Sequence, residues 1–97
     1  MVLESSSTVK IFLDKADKTY RMNDLMTING RDVSNTEPIS VSILDPQKNQ
    51  IANMLPVVTG EGHFYQLWQI PGNLASGNYE IMVQNGENSN SIIFTLN

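Results

Sequence analysis

The chain has no cysteine and a single histidine, His63, among its 97 residues, and only 16% of its side chains are charged. Without thiols there is neither a disulfide framework nor a thiolate metal site. One imidazole is too few for a zinc centre, which takes three or four nitrogen and sulfur ligands. Nucleophilic catalysis would need a serine, that one histidine and an acid in mutual contact, and the sequence holds no Gly-x-Ser-x-Gly elbow. These gaps lead to the expectation of a protein that is not an enzyme and carries no cofactor. Its stability has to come from packing alone.

Long apolar runs are missing too. No stretch approaches the ~20 residues that a membrane-spanning helix needs, and Met1 to Ser7 lacks the basic start of a secretory leader. The segment reads as soluble, with no membrane insertion of its own. A role outside a cell would make it a processed product or a module of a longer protein. Basic residues are scarce, six against ten acidic, which leaves a net charge of −4. That field repels phosphate backbones, so nucleic acid and anionic membrane surfaces are poor partners.

What the sequence does have is alternation. A chain of this length is one domain, able to bury roughly 60–65% of its unfolded surface. Residues 1–7 are Ser-rich and read as a linker-like head with no reason to order, leaving residues 8–97 as the folded domain. Val9, Ile11 and Leu13 alternate with polar or outward residues, as a half-buried strand requires. Lys15 to Asn23 breaks the pattern, and its large apolar residues, Tyr20 and Met22, are two apart where a helix needs three or four. Met26 and Ile28 form a second strand ending at Gly30, and a polar connection runs from Arg31 to Glu37.

Ile39, Val41 and Ile43 alternate strictly with serines until Asp45-Pro46 turns the chain. Gln50 to Val58 is weaker, and Pro56 puts it at a sheet edge or a crossover between sheets. His63 to Ile70 carries Phe64, Trp68 and Ile70 on one side, with Tyr65 and Leu67 on the other. Tyr79, Ile81 and Val83 follow. Asn85-Gly86 is a hairpin signal, and Ile92, Phe94 and Leu96 return antiparallel. The sum is an all-β, seven-stranded antiparallel sandwich, with all the alternating apolar residues named here as its core except the outward Tyr65 and Leu67.

Four segments, in order, resemble immunoglobulin-like modules of bacteria and archaea. Tyr20-Arg21-Met22-Asn23-Asp24-Leu25-Met26-Thr27-Ile28-Asn29-Gly30 resembles their Tyr-x-x-Gly-Asp-x-hydrophobic-x-hydrophobic-x-Gly motif, with Asn23 where glycine is usual. Pro38 to Pro46 resembles their third strand and its Asp-Pro turn. Gly62-His63-Phe64 is similar to their Asp-Gly-Ser-Phe start, and Ile70 to Tyr79 to their Ile-Pro … Ser-Gly-x-Tyr corner. The resemblance is nearest to repeats of surface-layer and other cell-surface proteins of archaea, with macroglobulin-type modules as more distant relatives. It implies an Ig-like fold, an extracellular or cell-surface location and a role as spacer, assembly unit or adhesive stalk. No catalytic residue is carried over, because the shared motif concerns folding. Gln66 departs from the pattern by standing where an aromatic is usual, which singles it out as a bulge, a cavity mouth or a buried amide in need of partners. In such modules a Tyr two positions after the corner Gly inserts its ring while its hydroxyl bonds nearby backbone, and Tyr79 is placed to do so.

Two short motifs are turns rather than sites. Gly60-Glu61-Gly62 lacks the third glycine and the strand–helix setting of a dinucleotide loop. Asp45, Gln47 and Asn49 have calcium-loop spacing but lack its central glycine and closing glutamate. An internal Lys–Asn crosslink, known in related modules, would need an inward lysine, and Lys10 alternates with the inward residues.

The surplus lies on the other parity. If the first, second and fifth strands share a sheet, then Phe12, Leu25, Tyr65 and Leu67 all project outward from it and form a candidate partner interface. The opposite outer face, with Ser40, Ser42, Glu80 and Gln84, reads as solvated. The functional expectation is a non-catalytic structural or interaction module of a prokaryotic surface or secreted protein, whose partners are neighbouring modules or other surface proteins. The alternative is a carbohydrate-binding accessory module, with Tyr65 or Trp68 stacking on polysaccharide.

Overall fold

Alternating apolar residues drive this chain into strands because each strand can bury one face only against another sheet. The computed structural model describes residues 9–34 and 36–97, so the head at 1–7 lies outside the described residues. Nine strands make up two sheets, and no helix occurs among the described residues. They are β1 (Lys10–Leu13), β2 (Thr19–Tyr20), β3 (Leu25–Arg31), β4 (Ile39–Leu44), β5 (Gln50–Met54), β6 (Val57–Gly60), β7 (His63–Gln69), β8 (Gly77–Asn85) and β9 (Asn88–Leu96). One sheet has the order β1-β3-β7-β6 and the other β2-β9-β8-β4-β5. The first, second and fifth expected strands do share a sheet.

The architecture is the expected β-sandwich, but seven strands become nine and the pairing is not wholly antiparallel. Gln50 to Val58 divides at Leu55-Pro56 into β5 and β6, which lie at the edges of opposite sheets. Proline cannot donate to a ladder, so the chain changes sheets where it stands. The ninth strand is Thr19–Tyr20, which runs parallel to β9. Two residues are too few to show alternation, and so Tyr20, wholly buried, was absent from the expected core.

The core otherwise follows the sequence pattern. Val9, Met26, Ile28, Val41, Ile43, Phe64, Ile70, Tyr79, Ile81, Val83, Phe94 and Leu96 are buried, while Ile11, Leu13, Ile39, Trp68 and Ile92 are only partly so and pack around them. Val33, from the connection after β3, is an unexpected addition. Phe94 is the centre. Its ring stacks on Tyr79 at 5.5 Å and meets Tyr20 and Trp68 edge-on at 5.8 and 6.2 Å, offset and T-shaped geometries that suit aromatic quadrupoles. Trp68 reaches it from the opposite sheet.

The segment that resembles the Ig-like motif has a physical reason at each position. Asn23 has a φ of 71°, a conformation that Asn tolerates better than other side-chain-bearing residues. Asp24 accepts the Arg21 N–H at 2.9 Å through its carboxylate, and Ile70 N–H donates to the Asp24 carbonyl at 2.8 Å. Gly30 faces Phe64 in the β3–β7 register, and a Cβ there would land in the Phe64 ring. Tyr20 inserts between the sheets while its hydroxyl donates to Asp14 Oδ1 at 2.6 Å, and the same oxygen accepts Thr27 N–H at 3.2 Å. Tyr79 behaves as expected, donating to the Ala75 carbonyl at 2.7 Å.

Asn85 does more than mark a turn. The two-residue loop is Gly86-Glu87, one step later than expected, with Gly86 at φ 61° as a II′ hairpin requires at its first position. The Asn85 side chain, 2% exposed, turns inward instead. Its Oδ1 accepts Ser34 N–H at 2.7 Å, and its Nδ2 lies within 3.2–3.3 Å of the Ser34, Glu37 and Pro38 carbonyls. It thus satisfies backbone groups of the connection before β4.

Phe94→Ala is expected to cost ~3–5 kcal/mol in urea unfolding, and Trp68→Ala less, about 2–3 kcal/mol, because the indole is only half-buried. A larger loss at Trp68 would contradict this placement of the core. Burial, reinforced by the bond to the Asp14 carboxylate, pushes the Tyr20 hydroxyl far above the ordinary phenol value of about 10. A phenol raised on folding contributes stability that is intact below pH ~10 and is lost as the pH climbs above it. Urea midpoints should therefore fall above pH 10, and fall less steeply in Tyr20→Phe; parallel curves for the two proteins would rule this out.

Candidate functional site

With one face of each sheet committed to the core, any partner must use an outer face, an edge or the loops. In β7, Phe64, Gln66 and Trp68 point inward and His63, Tyr65, Leu67 and Gln69 outward, a parity that its pairing with β3 preserves without interruption. Gln66 is half-buried opposite Ile28, and its Nε2 donates to the Leu67 carbonyl at 2.7 Å. It introduces no bulge between these strands. The irregularity of this sheet lies on the other side of β7, between Val58 and Gly60.

The four residues expected on the outer face are all on it. Phe12 is 42% exposed, Leu25 56%, Tyr65 39% and Leu67 49%. The register shows which of them meet. Phe12 and Tyr65 both pair with Asn29, from either side of β3, so the two rings flank a short polar residue. Leu67 lies two positions along β7 from Tyr65 and diagonal to Leu25, since Leu67 pairs with Thr27 and Leu25 with Gln69. The face thus has an aromatic end and an aliphatic end.

Other residues extend this face beyond the expected set. Val57 pairs with Tyr65 from the edge strand and is exposed, whereas Leu55, more exposed still, lies beside Ser40 and Gln84 of the other sheet. The parity of Val57 is hidden by the split at Pro56. Arg31, read as part of a polar connection, is instead the last residue of β3, with its guanidinium carbon 4.9 Å from the Phe12 ring centroid. That is cation–π distance, between residues 19 apart in sequence.

Around Asn29 these groups form a cleft of about 370 Å³, lined by Phe12, Asn29, Gly30, Arg31, His63 and Tyr65, with Thr59 and Phe64 contributing. His63 is exposed and flanks the Glu61-Gly62 turn. Trp68 belongs to the inner face, against Phe94, which leaves Tyr65 and Phe12 as the outward rings.

The opposite outer face is mixed rather than purely solvated. Glu80 holds Lys48 at 2.8 Å, and the Lys48 ammonium, helped by Ser91, keeps the Glu80 carboxyl below its usual range. Asn53 donates to Ser42 at 2.8 Å. Ile93, paired with Glu80, is exposed on this face, because the inward parity of Ile92, Phe94 and Leu96 turns it outward.

The calcium-like loop closes on itself: Asp45 Oδ1 accepts the N–H groups of Gln47 and Asn49 at 2.9 and 2.8 Å. No group of three or more potential metal-ligating His or acidic residues occurs among the described residues. Lys10 lies 3.0 Å from Asp32 at the surface, away from the core position a crosslink would need.

No protein-family model matches this sequence, and no curated protein matches it. Solved structures do match. Over 92% of its length the chain overlays part of E. coli alpha-2-macroglobulin in its native conformation, with a TM-score of 0.72 and 18% identity. Salmonella alpha-2-macroglobulin reacted with methylamine matches over 94% of the chain, at the same TM-score and 14% identity. In both cases this chain spans only 6% of the other. At these identities the likeness shows the fold, and of the two resemblances read from the sequence it corresponds to the macroglobulin-type one. The fold of this chain is that of one small β-sandwich unit within those bacterial proteins.

Proposed function

We propose that this chain is a non-catalytic structural or interaction module of a prokaryotic cell-surface or secreted protein, and that it packs against another β-sandwich unit through the outer face of the β1-β3-β7-β6 sheet. The observation that carries the reading is the exposed series Phe12, Leu25, Tyr65 and Leu67 on one face, extended by Val57. A soluble monomer seldom leaves such a face open without use for it. Two further points support the reading. Nearly the whole chain matches a single short stretch of much longer proteins. The sequence resembles surface-layer and other cell-surface repeats, which agrees with an extracellular location.

A second reading, a carbohydrate-binding accessory role, is favoured by one specific feature, the cleft between the outward rings of Phe12 and Tyr65. Aromatic walls with a polar floor suit a ring that is apolar on its faces and hydroxylated at its edge.

The docking face predicts weak, reversible self-association of the isolated chain at rising concentration, measured by light scattering. Leu25→Ser and Leu67→Ser should reduce it while shifting the urea midpoint little, since both side chains are largely exposed. A chain that stays monomeric at millimolar concentration, with both variants indistinguishable from it, would remove the docking face from this account.

A further inference from the structure

We propose that the cleft between Phe12 and Tyr65 binds an acidic sugar ring, stacked on Tyr65 and held by its carboxylate on Arg31. This rests on the carbohydrate reading and adds the ligand class and the residue that selects it. On a chain of net charge −4, the cleft is lined by Arg31 and His63 and by no acidic side chain. The neighbouring cation, Lys10, is engaged by Asp32 at 3.0 Å, whereas Arg31 takes part in none of the three ion pairs among the described residues. Its guanidinium carbon lies instead 4.9 Å from the Phe12 ring centroid, at the cleft wall, and the group as a whole has the fork of N–H donors that matches a carboxylate.

The shape of the cleft narrows the choice of ligand. Phe12 and Tyr65 stand on the two strands flanking β3, so their backbones are about 10 Å apart at the usual strand spacing. That width takes one sugar-sized ring, while an α-helix with its side chains is about 10–12 Å across before the walls are counted. An extended peptide would need free backbone groups to pair with. Here β3 is paired on both sides by β1 and β7, and β7 by β3 and β6, so the floor offers none. The remaining polar groups, the Asn29 amide and the Thr59 and Tyr65 hydroxyls, match sugar hydroxyls as donors and acceptors. The overall negative field is screened beyond about 8 Å in physiological salt. It opposes dense polyanions more than a single carboxylate lying on Arg31.

The test is an NMR titration of the whole chain with a trisaccharide ending in glucuronate, its glucose-ended counterpart and a glutamate-rich peptide. The expected result is amide shifts confined to the strand segments around Phe12, residues 29–31, Thr59 and residues 63–65, with glucuronate bound roughly five- to tenfold tighter than glucose. Arg31→Gln should abolish that preference with an unchanged urea midpoint, and Tyr65→Ala should lose both sugars while still unfolding cooperatively in urea at a lowered midpoint. If the two sugars bind equally well, the carbohydrate reading survives and the acidic-ligand assignment is overturned. If neither binds, both fall. If the glutamate peptide binds as tightly with the same shifts, the site recognises a polypeptide acid and the proposal is wrong.

Discussion

The two sheets are held together at the ring of Phe94. Tyr79 stacks on it from its own sheet, Tyr20 meets it from the short β2 strand, and Trp68 crosses from the opposite sheet. Burial of these rings removes much apolar area from water for few ordered side chains. The polar tips of the tyrosines remain satisfied at the rim of the core. Tyr20 donates to Asp14, just after β1, and Tyr79 donates to the corner before β8, so the same residues that fill the core also fix the passage of the chain around it.

This arrangement decides what is left for a partner. Because β7 alternates, placing Phe64 and Trp68 inward forces Tyr65 and Leu67 outward, and pairing with β3 brings Leu25 to the same face. Gly30 contributes to both sides. It leaves room for Phe64 in the core, and its bare backbone forms the floor of the outer cleft. The aliphatic end of the face suits docking against another unit, and the aromatic, cationic end suits a small acid ring.

Much of this was readable from residue parity. The alternation of β3, β4, β8 and β9 places nearly all of the core, and the same rule places Phe12, Tyr65 and Leu67 outside. Where local pattern is short or interrupted, it says less. Thr19–Tyr20 is too brief to show a period, and Pro56 conceals that one weak strand is two. Asn85 carries a hairpin signal, yet it also continues the inward series of Tyr79, Ile81 and Val83, and the backbone it satisfies lies 47 to 51 residues away. Arg31 reads as a loop charge because its cation–π contact with Phe12 joins different strands. Tertiary pairing, not local propensity, determines both.

Everything proposed for the outer face depends on the register of β7, since a slip of one residue would exchange its two sides. Solvent relaxation NMR with a soluble paramagnetic agent tests this directly, reading how strongly each side chain meets bulk water. Strong relaxation enhancement is predicted at Phe12, Leu25, Tyr65 and Leu67, with protection at Phe64 and Phe94 and weak enhancement at Trp68. Strong enhancement at Phe64 and Trp68 with protection of Tyr65 and Leu67 would contradict the account.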